Sequence, residues 1–258
     1  MTARALSSRA LSSRALSSLA LSSRALSSSS ATSLPPPLVV HDSEALTVST
    51  YPVTPFQMNQ YMVQCKRTLD CALVDCGDDR PERWLLAAEE AGGGAATGAI
   101  KKILQTHGHV DHVVGLGATK DLLGVDIYAC EKDWPIFLSA PVQGAAFGLS
   151  CPSPPSIDVH IKEGDVLEVG ELRLAVMETP GHSPGHVCFH IASEKVLVAG
   201  DLVFRGGIGR TDFPGCSEED MRKSLERVKV MDRETVVFSG HGGETTVGAE
   251  VDTNPFLR

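Results

Sequence analysis

Long apolar runs are absent from this 258-residue sequence. No stretch approaches the roughly 18 consecutive apolar residues that a membrane-spanning helix requires. The hydrophobic fraction is nevertheless 42%, which is ordinary for a globular protein with a packed core. We therefore expect no membrane span, in a chain long enough for one large domain or two small ones.

Closely paired cysteines are also absent. The chain has seven cysteines, an odd number, and no CxxC spacing. This pattern favours reduced thiols in a reducing compartment over a disulfide framework. Cys65 and Cys71 could face each other across a hairpin, and a disulfide between them is the alternative.

Basic residues are scarce after the first segment. Residues 1 to 41 contain no acidic residue and four arginines, Arg4, Arg9, Arg14 and Arg24. Without these four, 19 basic residues remain against 32 acidic ones, a formal charge of −13. Nucleic-acid binding needs clustered lysine and arginine to neutralise phosphates. We therefore expect small molecules or proteins as partners, and no nucleic acid.

The first segment repeats the five residues ALSSR, with Leu19 once in place of arginine. A segment rich in arginine and serine and free of acidic residues is typical of an organelle transit peptide, for a plastid or a mitochondrion. The alternative is a disordered low-complexity tail in a protein that stays in the cytoplasm. LPPPL marks the boundary, so we expect a leader at 1–37 and one folded domain at 38–258.

The remaining sequence alternates between strand and helix signals. ALTVSTYPV, QYMVQC and CALVDCG predict strands, and the last two form a hairpin. PERWLLAAEEAG predicts a helix, and AGGGAATG a connector. ELRLAVMET, HVCFHI, KVLVAG and TVVFSG predict further strands, and SEEDMRKSLERVKVM predicts a helix capped by Ser217. The expected fold is α/β, with two sheets and helices outside them.

Four predicted strands run into a potential metal ligand. AIKKILQT leads to His107, and LAVMETPG leads to His182. VLVAG leads to Asp201, and TVVFSG leads to His241. Functional residues concentrate in loops that a rigid sheet holds in place. If these strand ends share one edge of the sandwich, the four residues converge there.

The stretch THGHVDH supplies further ligands. His107 and His109 are two residues apart in extended chain, so both point the same way. Asp111 and His112 follow where the chain turns helical, and Asp111 is also suited to be the helix N-cap. Three histidines could bind one ion, and an aspartate with two histidines could bind another. This arrangement would use all five candidate histidines, with Asp201 bridging the two ions. Zinc favours such ligands, and iron and manganese accept them.

The other candidate residues have supporting roles. Asp75 in LVDCG is suited either to orient a ligand histidine or to cap a turn. His41, His160, His186 and His190 are expected to be ordinary surface or core residues, with His186 supporting its own loop.

From about Leu38 to Arg258, the sequence resembles the metallo-β-lactamase superfamily. THGHVDHVVGLG, PGHSPGHV, GDLVFRGGIGRTDFPG and GHGGETTVGAE...NPFL are similar to the short, type III glyoxalase II-like hydrolases. The resemblance implies an αββα sandwich with a dinuclear centre, two mixed sheets flanked by helices. The implied ligands are His107, His109 and His182 for one ion, Asp111, His112 and His241 for the second, and Asp201 as the bridge.

The resemblance also implies a reaction. It is hydrolysis of a thioester such as S-D-lactoylglutathione by hydroxide formed at two cations, with Asp111 holding or accepting a proton of the water. Long glyoxalase II enzymes append a helical domain that helps to bind glutathione, whereas this chain ends 17 residues after His241. The core loops would therefore bind the glutathione conjugate. Arg210 is the candidate for its carboxylate, with an ion pair to Asp212 as its other possible role.

Three other functions are compatible with parts of this resemblance. True β-lactamases usually carry no histidine at the position of His112. Persulfide dioxygenases share GRTDF and resemble a mononuclear iron centre, here His107, His182 and Asp201, but the context of their last histidine differs from SGHGGETT. A catalytically silent metal-binding scaffold is the third. The sequence leaves the oligomeric state open.

Overall fold

The computed structural model describes residues 37–82 and 100–258 of the chain. The predicted leader and the helix and connector predicted in PERWLLAAEEAG and AGGGAATG lie almost wholly outside these residues. Within the described residues, no helix is long and apolar enough to cross a membrane.

The first sheet has seven strands in sequential order. They are β1 Leu38–Asp42, β2 Leu46–Val53, β3 Met58–Cys65, β4 Cys71–Val74, β5 Ile100–Leu104, β6 Asp126–Ala129 and β7 Val159–His160. Neighbours pair antiparallel from β1 to β4 and parallel from β4 to β7. The predicted hairpin of QYMVQC and CALVDCG is the β3–β4 pair.

The second sheet has six strands. They are β8 Val166–Val169, β9 Leu172–Glu178, β10 Val187–Ile191, β11 Val196–Gly200, β14 Val236–Ser239 and β15 Thr245–Thr246, in the order β15-β14-β11-β10-β9-β8. A small ribbon, β12 Val203–Phe204 and β13 Gly207–Ile208, follows β11. Only β11 and β14 pair parallel within this sheet.

Five α-helices lie in the described residues. They are α1 Val110–Val113, α2 Leu116–Leu123, α3 Trp134–Ala146, α4 Glu218–Lys229 and α5 Val247–Thr253, with short 3₁₀ turns at Glu131–Asp133 and Ala192–Glu194. Helix α4 begins as its sequence predicts, because the Ser217 hydroxyl accepts a hydrogen bond from the Asp220 N–H at 3.1 Å. Its residues Met221, Leu225 and Val228 form a buried stripe.

Three apolar layers hold the sandwich together. Between the sheets, Val63 of the first packs in one cluster with Phe189 and Phe238 of the second. Outside the first sheet, Phe137 of α3 joins a cluster with Ile103 of β5. Outside the second sheet, α4 and α5 cover β10, β11 and β14. The αββα sandwich predicted from the sequence is therefore confirmed.

All seven cysteines are free thiols, as the sequence predicts. In the β3–β4 ladder Cys71 lies opposite Gln64 rather than Cys65. Because successive side chains of a strand alternate between faces, this one-residue offset sends the two thiols to opposite sides of the sheet. Cys65 joins the inter-sheet core, and Cys71 joins a cluster on the outer face.

The direction of the strands positions the candidate site. Strands β9 and β11 both pair antiparallel with β10, and β14 is parallel to β11. All three therefore run the same way, and their carboxyl ends lie at one edge of the second sheet.

Candidate metal centre

The shared edge of the second sheet carries three of the predicted ligands. His182 follows β9, Asp201 follows β11 directly, and His241 follows β14 after one glycine. That glycine, Gly240, packs so closely that a Cβ atom would overlap the Asp201 carboxylate. Glycine is therefore required before His241 for Asp201 to reach the centre of the site.

The remaining ligands come from the loop between β5 and α1, which carries His107 and His109, and from α1 itself, which carries Asp111 and His112. His109, with φ −68° and ψ 151°, is the N-cap of α1. The prediction that Asp111 caps this helix is wrong, because the helix begins one residue earlier and Asp111 lies in its first turn. Its carboxylate is thereby free to face the other ligands.

The predicted ligands converge into three overlapping groups, and in each group the ligand atoms lie within 4.8 Å of one another. Asp201 lies centrally, with Oδ1 3.5 Å from His112 Nε2 and Oδ2 3.5 Å from His182 Nε2. This is a cluster able to bind two metal ions. The groups are His107, His109 and His182; His107, His112 and Asp201; and Asp111, His112 and His241.

Unsatisfied atoms inside the cluster match what a cation would need. His107 Nε2, His112 Nε2 and Asp201 Oδ1 are buried without a hydrogen-bond partner in the described structure. Leaving a buried polar atom unpaired is unfavourable, by about 1–3 kcal/mol each. His109 Nδ1 also lies only 2.8 Å from His182 Nε2. Cations among these atoms would satisfy lone pairs that the described residues leave open.

Hydrogen bonds from outside the cluster hold four of the five imidazoles in place. In each, Nδ1 faces an oxygen, which leaves Nε2 directed towards the interior of the cluster. The oxygens that face Nδ1 of His107 and His112 belong to side chains, at 3.0 Å and 2.8 Å respectively. The oxygens that face Nδ1 of His182 and His241 belong to the backbone, at 2.8 Å and 3.1 Å respectively. The acceptors for His107, His112, His182 and His241 are Thr106 Oγ1, Asp75 Oδ2, the Arg210 carbonyl and the Phe56 carbonyl.

Burial keeps two histidines of the first ligand group, which is His107, His109 and His182, in the neutral form. It lowers the pKa of His107 well below its usual value. Burial together with the neighbouring His182 lowers the pKa of His109 to about 3. Neutral imidazoles are the form that binds a metal ion, so His107 and His109 can bind one without losing protons.

The second ligand group, which is Asp111, His112 and His241, is charged. Although burial acts in the opposite direction, Asp111 and Asp201 raise the pKa of His112 to about 10. The pKa of Asp111 is lowered against the effect of burial, because His112 and His241 stabilise its ionised form. A cation bound here would therefore take the place of a proton on His112.

Asp75 contacts the cluster from behind. Its Oδ2 accepts hydrogen bonds from His112 Nδ1 and the Thr106 hydroxyl, and its Oδ1 accepts one from the Thr106 N–H, all at 2.8 Å. Asp75 thus contacts a ligand histidine, as one of its two predicted roles requires, and its other partner is Thr106 rather than a turn in its own segment. Its left-handed backbone, with φ 59°, suits aspartate or asparagine.

Asp75→Asn is expected to weaken binding of the second metal ion about 10-fold or more, as loss of such outer partners commonly does. Asparagine tolerates the same backbone, but its neutral amide polarises His112 less. Titration against a chelator measures the affinity, with Asp126→Asn, an exposed aspartate on β6, as the control. Unchanged affinity would mean that Asp75 serves only to hold Thr106 in place.

Asp133, which the sequence analysis does not single out, joins the two ligand loops. Its buried carboxylate accepts hydrogen bonds from the Gly108 N–H at 2.7 Å, the Ser183 hydroxyl at 2.9 Å and the Gly185 N–H at 2.7 Å. Gly108 lies between His107 and His109, and Ser183 follows His182. Asp133 therefore fixes the spacing of the first ligand group without contacting a ligand.

The other four histidines lie outside the three ligand groups. Buried His186 accepts a hydrogen bond from the Asp201 N–H at 3.0 Å, and its Nδ1 lies 2.8 Å from the Thr179 hydroxyl. It therefore supports the loop that presents Asp201. His160 is exposed on β7.

Arg210 lines the cleft above the cluster but is already paired. Its guanidinium donates two hydrogen bonds of 2.7 Å to the Asp212 carboxylate and lies 3.7 Å from the centre of the Phe213 ring. The ion pair considered as its alternative role is present. Binding of a substrate carboxylate by Arg210 stays a prediction.

Comparison with known families accounts for this arrangement. The profile of the Metallo-beta-lactamase superfamily matches residues 53–241, from β2 to the last ligand, His241. The chain belongs to this superfamily. The resemblance seen in the sequence motifs is thereby confirmed, and the strand-end ligands occupy the matched region.

Members of the superfamily with related sequences differ in their described activities. Hydroxyacylglutathione hydrolase GloC of Haemophilus influenzae is 34% identical over 220 residues, which are 82% of this chain and 98% of GloC. The solved structure of TTHA1623 in a di-iron-bound form is 36% identical, with a TM-score of 0.72 over 81% of this chain and 99% of that one. BLEG-1, a B3 metallo-beta-lactamase, is 30% identical, with a TM-score of 0.71 and the same coverage.

Proposed function

We propose that this protein is a metal-dependent thioester hydrolase that cleaves S-D-lactoylglutathione or a related glutathione thioester. The observation that carries the proposal is the second ligand group, Asp111, His112 and His241, assembled beside the first. A complete second group favours a dinuclear hydrolase over a mononuclear iron oxygenase, which needs only two histidines and a carboxylate. Similarity to GloC supports a glutathione thioester as the substrate.

The cluster would hold two divalent cations, for which we propose zinc. His107, His109 and His182 would hold the first, Asp111, His112 and His241 the second, and Asp201 both. When bound, the two cations supply a water of lowered pKa, near about 7, and positive charge for the oxygen of the thioester carbonyl.

Asp111 is the residue that we expect to orient the attacking water molecule. Asp111 lines the cleft, and its Oδ2 lies 3.2 Å from His241 Nε2. Since its lowered pKa keeps it ionised at neutral pH, Asp111 can orient a water molecule and accept a hydrogen bond from it. Water adds to the thioester carbonyl carbon, the carbon–sulfur bond breaks, and acid and thiol are released. The thiolate leaves readily, because thiols have pKa values near about 8.5.

Metal stoichiometry and two assays on one sample test the proposal. Elemental analysis is expected to find two metal ions per chain, and the same protein is expected to hydrolyse S-D-lactoylglutathione. A chelator should abolish hydrolysis, and added zinc should restore it. Fewer than two ions, together with oxygen uptake in the presence of glutathione persulfide, would instead identify a persulfide dioxygenase.

A β-lactam serves as the comparison substrate, because BLEG-1 is a B3 metallo-beta-lactamase. We expect the thioester to be cleaved with a much higher kcat/KM than the β-lactam. No turnover of thioester, persulfide or β-lactam by fully metallated protein would identify a silent scaffold.

A further inference from the structure

A cleft of about 800 Å³ opens directly on the ligand cluster. His109, Asp111, His182, Asp201 and His241 all line it, so any substrate that reacts at the cluster must lie in it. The rest of its wall comes from separate parts of the chain and is mainly apolar. The side chains that form this wall include Phe56, Ile136, Val142, Phe147, Phe204 and Ile208.

The mouth of the cleft exposes large apolar side chains. Val142 is 73% exposed, Phe147 53% and Phe56 37%. The rings of Phe56 and Phe147 meet edge to face, with their centres 5.2 Å apart, although they are far apart in the sequence. Apolar side chains grouped in this way at the rim of a pocket mark a binding surface.

The polar side chains of the α3 wall are already satisfied. The Gln143 carbonyl oxygen accepts from the Val110 N–H at 3.1 Å, and its amide donates to the Ser139 hydroxyl at 2.7 Å. The Ser139 hydroxyl in turn donates to the Ile136 carbonyl at 2.8 Å. These groups point into the protein's own hydrogen-bond network, so none is committed to recognising a hydroxyl group on a substrate.

The charged side chain in the described lining, outside the cluster, also has a partner within the protein. Apart from the ligand histidines, Arg210 is the sole basic residue of the described lining, and it is paired with Asp212. Beyond the cluster itself, the cleft therefore offers a bound group apolar contact more than hydrogen bonds or charge.

We propose that this cleft binds the acyl group of the substrate and selects acyl groups that are apolar and longer than lactoyl. The proposal rests on the thioester hydrolysis proposed above, which places an acyl carbonyl at the cluster. The free energy gained by burying apolar area grows with chain length. Phe147 and Val142 are then specificity-determining residues.

Binding of S-alkylglutathiones tests the selectivity without any turnover. These thioethers carry an alkyl group where the acyl group would lie and cannot be hydrolysed. From S-methyl- to S-hexylglutathione, Kd measured by calorimetry on the metal-loaded protein is expected to fall about threefold per methylene, or about 10²-fold in total. A Kd that does not change with chain length would overturn the proposal.

Two variants test which side chains cause the dependence of Kd on alkyl chain length. In Phe147→Ala and Val142→Ala, the gain in affinity from S-methyl- to S-hexylglutathione is expected to shrink severalfold. Leu138→Ala is the matched control, since Leu138 is 55% exposed on the same helix but does not line the cleft. Equal chain-length dependence in all three variants would exclude this wall as the acyl site.

Hydrolysis of acyl glutathiones separates the two proposals. We expect kcat/KM to be higher for hexanoyl- than for lactoylglutathione. Hydrolysis of lactoylglutathione without a preference for hexanoyl would overturn only the acyl selectivity. Absence of all hydrolysis, with chain-length-dependent binding intact, would overturn only the proposed reaction.

Discussion

His241→Ala is expected to lower kcat/KM for thioester hydrolysis about 10²- to 10³-fold, the loss typical when one electrostatic contributor to a transition state is removed. It should also reduce the metal content from two ions per chain towards one. His241 Nε2 lies 3.2 Å from Asp111 Oδ2 and 3.6 Å from Asp201 Oδ2. Its loss therefore removes one of the four side chains proposed for the second ion, Asp201 included, and leaves the first ligand group intact.

The variant should fold normally, because the His241 side chain is 27% exposed and lies at the cleft rather than in the core. His160→Ala, at an exposed histidine on β7, is the control and should match the unsubstituted protein. Full retention of activity in His241→Ala would show that chemistry needs only the first ligand group. Oxygen uptake with glutathione persulfide by that variant would then assign the mononuclear dioxygenase reaction.

Asp133→Ala is expected to lower the free energy of unfolding by about 3 kcal/mol or more, because it leaves two buried N–H groups and a hydroxyl without their acceptor. The effect should extend to the metal centre, since the Gly108 and Ser183 loops lose their common anchor. We expect affinity for the first metal ion to fall about 10- to 100-fold.

Urea unfolding of the metal-free protein measures the stability, and chelator competition measures the affinity in folded samples. Ser183→Ala removes one of the three hydrogen bonds and is expected to cost only about 1 kcal/mol. Asp133→Asn keeps the shape but cannot accept hydrogen bonds at both terminal atoms, so it should fall between the two. If Asp133→Ala unfolds at the same urea concentration as the parent protein, Asp133 does not anchor the loops.

The strand-end ligands could be predicted from the sequence because their signals are local. An apolar run that ends in histidine or aspartate shows both the strand and the ligand type, as before His182 and Asp201. The alternating pattern predicts the individual strands, whereas convergence of their ends was a condition of the prediction. The αββα sandwich and the assignment of each ligand to one of two ions came from the resemblance to the metallo-β-lactamase superfamily.

Other features depend on contacts that spacing does not reveal. Asp133 lies 25 residues from Gly108 and 52 from Gly185, and nothing in its own surroundings marks it as an anchor. The sequence predicts Asp111 rather than His109 as the N-cap of α1, because both residues are suited to be the last residue of the extended chain before the helix. The cleft wall likewise joins Phe56 to Phe147, which the sequence places on unrelated segments.

Substrate selectivity and metal binding use different parts of Arg210 and Phe56. His182 and His241 are oriented by the carbonyl oxygens of Arg210 and Phe56, which every amino acid possesses. The side chains of Arg210 and Phe56 meanwhile face the cleft. The acyl pocket can therefore be redesigned at these two positions while the groups that orient the metal ligands stay chemically unchanged, so new substrates can be explored on a constant catalytic centre.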